Sequence, residues 1–152
     1  MIKNRNTQLK KRELAAKMID FGMRASIISA VFDLPLSQAR ALYKEITGFS
    51  SPSGQKPRSE EYYFSPVMRV HSSVFMMFYR YISQSGVDVR SALVAAYSQY
   101  SKTCQDGKTK LPIDRAWRLI ILASQKNGVV RETRCTSCGT YMIIQAWESV
   151  TR

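Results

Sequence analysis

The first part of the chain repeats apolar residues at a helical period. Leu14, Met18 and Phe21 recur every three or four positions between Gln8 and Gly22, a spacing typical of an amphipathic helix. The first eight residues are polar and basic, and we expect them to be disordered. Gly22 is expected to end the helix.

Two shorter helices are predicted next. Ala25 to Phe32 and Leu36 to Ile46 each place apolar residues on one face. Pro35 suits the first turn of the second of these helices, where its missing N–H costs nothing. The segment from Gly48 to Pro57 is a cluster of glycine, serine and proline, which predicts a loop.

A longer helix is predicted from Pro66 to about Ser83. Its apolar residues form a wide stripe, typical of a helix that packs on more than one side. After Gly86, Asp88 is expected to cap a further helix, and Ile113 to Gln125 has the pattern of a last one.

The period then changes to that of short strands on either side of a Cys-x-x-Cys turn. The sequence therefore predicts a mainly α protein. It would be a helical bundle with an N-terminal helix-turn-helix-like unit and a small C-terminal zinc-ribbon-like β element. The expected parts are an N-terminal helical region (1–47), a loop (48–66), a helical core (67–127) and a partial zinc-ribbon tail (128–152).

Charge adds the first functional indication. The 152 residues contain 23 Lys and Arg against 11 Asp and Glu, a net charge of +12. Such an excess attracts polyanions, nucleic acid first and a membrane surface second, although it can also serve solubility alone.

Several function classes are not supported. No apolar run approaches the roughly 18 residues that a membrane span needs, and the basic N-terminus has no apolar stretch of a secretory signal behind it. We therefore expect a cytoplasmic protein that does not use a membrane. No phosphate-cradling glycine loop, carboxylate pair or nucleophile motif indicates an enzyme.

The segment from Arg24 to Ile46 has the spacing of a DNA-binding helix-turn-helix. Asp33 stands where glycine is usual in the turn, and aspartate tolerates the left-handed conformation better than most residues. On the second helix, Ser37, Gln38 and Arg40 are predicted to contact bases, because Gln pairs with adenine and Arg with guanine. The alternative is an ordinary helical hairpin that packs on a partner.

Other cations are predicted to contact the DNA backbone. They are Lys10, Lys11, Arg12, Lys44, Lys56, Arg58, Arg131 and Arg134. The aromatic and methionine-rich helix from Val67 to Ile82 is expected to form core and partner interface.

Cys135 and Cys138 have the spacing of a zinc knuckle, in which two thiolates grip one tetrahedral ion. Three alternatives are open for the remaining ligands. They could come from beyond Arg152; they could be Cys104, His71 or a neighbouring subunit; or the pair could be two thiols without metal. A thioredoxin-like redox role is not favoured, since no strand–helix context surrounds the motif.

Dispersed motifs run from about Leu14 to Gly139. They are Leu42-Tyr43-Lys44-Glu45, the loop residues Gly48, Pro52, Gly54 and Pro57, Val70-His71-Ser72-Ser73-Val74-Phe75, Arg115-Ala116-Trp117 and Cys135-Thr-Ser-Cys138-Gly139. In combination they resemble the FlhC family of flagellar transcription activators. Members of that family carry a second Cys-x-x-Cys after the first, and none follows here, so only Cys135 and Cys138 can be matched to its zinc ligands.

The resemblance implies a heteromer with a small helical FlhD-like partner that binds double-stranded promoter DNA and acts through RNA polymerase. It also implies a Cys₄ zinc site. Relatives of the SetC and AcaC type, on conjugative elements, switch on DNA-transfer genes instead. Two other classes remain open: a protein-only adaptor or shortened relative that binds the partner without reading DNA, and a protein that binds RNA or single strands.

Overall fold

A computed structural model describes residues 2–56, 58–105 and 109–149. Pro57 of the predicted loop and residues 150–152 of the predicted tail lie outside these ranges. The helices are α1 (Ile2–Asp20), α2 (Ala25–Phe32), α3 (Leu36–Thr47), α4 (Pro66–Ser83), α5 (Val89–Thr103) and α6 (Ile113–Ser124), with a 3₁₀ turn at Glu61–Phe64. The strands are β1 (Val130–Arg134) and β2 (Tyr141–Gln145).

The described chain is therefore mainly helical with one small sheet, which confirms the predicted class at that level. β1 and β2 pair antiparallel, with Val130 opposite Gln145 and Arg134 opposite Tyr141. Two compact units are distinguishable. The first comprises the residues up to Lys56 together with Pro112–Asp114, and the second comprises the remaining residues.

The prediction that the first eight residues are disordered is wrong. α1 begins at Ile2 and runs without interruption to Asp20. The physical reason lies in composition, because the first eight residues contain neither glycine nor proline and lead directly into a run of good helix formers from Leu9 to Ala16. Only Ala15, Met18 and Ile19 of this helix are buried.

In the first unit, α1, α2 and α3 pack around a small core. α2 supplies most of it, with Ile27, Ile28, Val31 and Phe32 all buried. α3 contributes Ala39, which is fully buried. Because alanine is small, α3 can approach α2 closely at this position. The outer face of α3 is exposed to solvent.

In the second unit, α4 packs against α5 and β2 through an aromatic cluster. The ring of Phe75 lies about 6.3 Å from those of Tyr79 and Tyr97 and 6.2 Å from that of Tyr100. The Ser73 hydroxyl accepts a hydrogen bond from the Ile143 backbone N–H at 3.0 Å, which fixes β2 on α4.

Asp88 caps α5, as predicted, because its carboxylate accepts a hydrogen bond from the Ser91 N–H at 3.3 Å. α4 ends at Ser83, as predicted. Gly86 occupies the left-handed region, at φ 78°, in the connection to α5.

Candidate nucleic-acid interface

The candidate interface is built on α2, a tight turn and α3. Asp33 ends α2 in the left-handed conformation, at φ 52° and ψ 49°, as expected for this position of the turn. The Ser29 backbone carbonyl accepts hydrogen bonds from the N–H groups of Asp33 and Leu34, and the Ser29 hydroxyl donates to the Leu34 carbonyl at 2.6 Å. The turn is therefore closed by bonds within itself.

α3 presents an exposed polar face. Ser37, Arg40 and Lys44 recur at i, i+3 and i+7 and are all exposed, so they share one side of the helix. Neither Arg40 nor Lys44 forms an ion pair with a carboxylate in the described ranges. The face is thus cationic and available to a polyanion.

Gln38 occupies a different position from the other predicted base contacts. It is exposed, but it lines a groove between α3 and the N-terminal half of α1. The structure therefore groups Ser37 and Arg40 with Lys44 and sets Gln38 at the edge of their face.

The predicted backbone contacts are distributed over both units. Lys10 is exposed on α1, whereas Lys11 is partly buried and lines the groove. Arg12 forms an ion pair with Glu45 of α3, with both side chains more than half exposed. Lys56 belongs to the first unit, and Arg58, Arg131 and Arg134 are exposed residues of the second.

The cysteine knuckle lies at the tip of the β1–β2 hairpin. The Cys135 N–H donates to the Thr140 carbonyl and the Gly139 N–H donates to the Cys135 carbonyl, both at 2.8 Å. Gly139 adopts a φ of 73°, which favours glycine. Cys138 is exposed, its Sγ lies 3.1 Å from the Thr140 hydroxyl oxygen, and this contact lowers the pKa of the thiol.

The described residues do not by themselves fit a complete zinc site. Within residues 2–56, 58–105 and 109–149, no three His, Cys, Asp or Glu side chains come together to hold a metal. In these ranges neither Cys104 nor His71 joins Cys135 and Cys138 in such a cluster. His71 instead places its Nδ1 2.7 Å from the Tyr100 hydroxyl.

Comparison with known proteins decides the family. The family model described as "Flagellar transcriptional activator (FlhC)" matches residues 2–152. The chain belongs to the FlhC family. FlhC is a family of transcriptional regulators and not of enzymes, so the expectation that the chain is not an enzyme is confirmed.

Three relatives carry the name flagellar transcriptional regulator FlhC. The protein from Verminephrobacter eiseniae is 32% identical over 90% of this chain and 75% of its own length. Those from Cupriavidus necator and Xenorhabdus nematophila are 31% and 29% identical, over 88% and 91% of this chain and 66% and 73% of their own lengths. In the described part of this FlhC-family chain, no helix has the length and apolar character to cross a bilayer.

Two features of this FlhC-family structure were missed from sequence. One is the groove wall formed by Arg5, Gln8 and Leu9, which the expectation of disorder concealed. A lack of glycine or proline before Gly22 was the signal for it. The other is the pairing of Arg24 with Asp114 at 2.8 Å, both largely buried, which fixes the start of α2 and carries no signal in local sequence.

Proposed function

We propose that the chain is the DNA-binding subunit of a transcriptional activator and that α3 lies in the major groove of promoter DNA. The observation that supports this most is the exposed face of Ser37, Arg40 and Lys44 on the second helix of a helix-turn-helix-like pair. The major groove admits an α-helix, and Arg forms a bidentate contact with guanine. Lys44 would contact phosphate, and Gln38 would reach a base at the edge of the same site.

A mobility-shift experiment tests this proposal. The duplex probe is a promoter fragment recovered with the protein from its native host, with flagellar promoters examined first and DNA-transfer promoters second. Arg40→Ala should weaken binding by about 1–3 kcal/mol and relax the preference at one base pair. Lys102→Ala, which removes an exposed cation from α5, is the matched control and should bind nearly as wild type.

The proposed activator is a heteromer with an FlhD-like subunit, and α4 offers the surface for it. Val67, Val70, Val74, Met77 and Tyr81 follow one another at spacings of three and four, the pattern of a coiled-coil seam. Val70 and Tyr81 are 62% and 75% exposed, although the opposite face of α4 is packed in the core. An exposed apolar stripe of this kind favours a protein partner.

Co-purification from the native host tests the heteromer. Val70→Glu should abolish or strongly reduce recovery of the partner, because a charge in the seam would be buried without compensation. Ala95→Glu places the same charge on an exposed position of α5 and should leave recovery unchanged. Equal recovery with both variants would place the partner elsewhere.

The same stripe supports a second candidate, an adaptor that binds protein without reading DNA. The two are separated by the mobility shift at low salt, with and without the co-purified partner. A shift in either case that Arg40→Ala weakens supports the activator subunit. No shift in either case would leave the adaptor.

We further propose that Cys135 and Cys138 provide two of four ligands to zinc, with the others supplied from outside the described residues, as by a neighbouring subunit. Their position at the hairpin tip supports this, because Cys138 is exposed and the tight turn holds two thiols together. Freshly purified protein should contain roughly half to one zinc per chain. Cys138→Ser should lose it and Cys104→Ser should keep it, and a wild-type content below about a tenth would exclude zinc.

A further inference from the structure

A groove of about 700 Å³ lies in the first unit, between the N-terminal half of α1 and the α2–α3 pair. Its apolar lining comes from Leu9, Ala15, Phe32, Leu34, Ala41 and Leu42. A second depression of about 580 Å³ shares Arg5 and Gln8 with the groove and includes Ile2 near the start of α1. Both are lined by the N-terminal half of α1, and the first combines apolar and charged residues as in a groove that receives a helix.

The wall formed by α1 lacks packing of its own. From Ile2 to Glu13 no residue is buried, and Ile2 and Leu9 are 79% and 58% exposed. These residues extend a 19-residue helix whose buried residues are Ala15, Met18 and Ile19, and most helical stability in proteins comes from packing of an apolar face. A partner in the groove would supply that packing.

The positive charge of the N-terminal half of α1 indicates what kind of partner the groove could bind. Lys3, Arg5, Lys10, Lys11 and Arg12 precede the first acidic residue of α1, which is Glu13. Of the two acids that line the groove, Glu45 is already paired with Arg12, and Asp33 lies in the turn after α2. Arg5 and Lys11 line the groove with no carboxylate partner in the described part of the chain.

We propose that this groove binds an acidic amphipathic helix of a protein partner. The apolar face of that helix would cover Leu9 and Leu42, and its carboxylates would meet Arg5 and Lys11. Nucleic acid fits less well, because phosphates would leave the apolar lining without a complementary surface. The proposal goes beyond DNA reading by α3 and beyond the α4 stripe, and it rests on neither. A helix in the groove would cover Lys11 and Gln38, which would then not contact DNA at the same time.

The test is fluorescence anisotropy with the full chain and a labelled synthetic peptide of about fourteen residues. The peptide has leucine at i, i+3, i+4 and i+7 spacing and glutamate elsewhere. Two control peptides keep the length, one with lysine in place of glutamate and one with the leucine order scrambled. The acidic amphipathic peptide should bind at least about tenfold more tightly than either control.

Two neighbouring lysines provide the matched variants, because Lys11 lines the groove and Lys10 does not. Lys11→Glu should weaken the acidic peptide about tenfold or more, whereas Lys10→Glu should change its affinity less than about threefold at physiological salt, where surface charges are screened beyond about 8 Å. Leu9→Ser, at an exposed position that the fold does not require, should also weaken the peptide.

Several results would overturn the proposal. They are equal affinity for the acidic and basic peptides, equal effects of Lys10→Glu and Lys11→Glu, and no binding of any peptide at about millimolar concentration. Duplex DNA of random sequence provides the last test. The groove would be a nucleic-acid surface instead if two results were found together. The DNA would displace the bound peptide, and Leu9→Ser would weaken binding of the DNA as much as binding of the peptide.

Discussion

At the scale of single residues, the turn between α2 and α3 depends on Asp33. A left-handed φ of 52° costs an ordinary side chain about 1–2 kcal/mol, and glycine adopts it without that penalty. We expect Asp33→Gly to preserve or raise the free energy of unfolding and Asp33→Val to lower it by about 1–2 kcal/mol. Urea unfolding of the two variants beside the wild type measures this, and equal stability of the Gly and Val variants would contradict it.

Glu148 provides a prediction for pH. Its carboxylate accepts two hydrogen bonds from the Arg69 guanidinium and one from the Gln145 N–H, and these bonds lower its pKa. A lowered pKa gives stability that is present above the unfolded pKa of about 4.3 and is lost as the pH falls through the folded value.

Glu148→Gln should therefore reduce the free energy of unfolding at pH 7 by about 1 kcal/mol or less, since the pair is partly exposed. The difference from wild type should shrink as the pH is lowered toward about 3.5. Urea unfolding across this range measures it. Glu13→Gln, at an exposed position of α1, is the control, and a difference for Glu148→Gln that is constant with pH would be evidence against the ion pair.

At the scale of elements, one hydroxyl joins α4, α5 and the segment before α6. The Tyr100 hydroxyl oxygen accepts a hydrogen bond from the Leu111 N–H at 2.7 Å and forms a second hydrogen bond, also at 2.7 Å, with His71 Nδ1. Burial raises the pKa of Tyr100 to about 12, so the hydroxyl keeps its proton at neutral pH.

Tyr100→Phe should lower the free energy of unfolding by about 1–3 kcal/mol, because it leaves the buried Leu111 N–H without an acceptor. Tyr81→Phe removes a hydroxyl from a side chain that is 75% exposed and should have almost no effect. Thermal unfolding of both variants compares them. A similar midpoint for the two would mean that another group satisfies the Leu111 N–H.

The same elements show what sequence could and could not predict. α2 and α3 follow from local signals, since apolar spacing, Pro35 and a residue tolerant of the left-handed region are all visible in the chain. The extent of α1 was missed because low hydropathy was interpreted as disorder although helix propensity was high. The grouping of Arg40 with Lys44 also follows from helical spacing. The placement of Gln38 beside Leu9 depends on tertiary packing, which a short-range pattern does not specify.

At the scale of the whole molecule, the net charge of +12 bears on how many phosphates are contacted. Each phosphate neutralised adds about 0.9 to the slope of log affinity against log salt. The predicted backbone contacts Arg58, Arg131 and Arg134 lie in the second unit, whereas the α3 face lies in the first. If DNA engages both units, replacing the three arginines by glutamine should reduce the slope by roughly 2–3 and leave the sequence preference of the α3 face intact.

A matched control separates local contact from the general field of the protein. Changing Lys17, Lys102 and Lys126 to glutamine removes the same charge from exposed positions that are not predicted contacts, and it should alter the slope by less than about 1. Arg40→Ala should do the reverse of the triple arginine variant, changing base preference with little change in slope. Fluorescence titrations at several salt concentrations measure all four proteins. If the slope of log affinity against log salt were the same for the two triple variants, the three arginines of the second unit would affect binding no more than lysines elsewhere. That result would indicate that DNA contacts the first unit only.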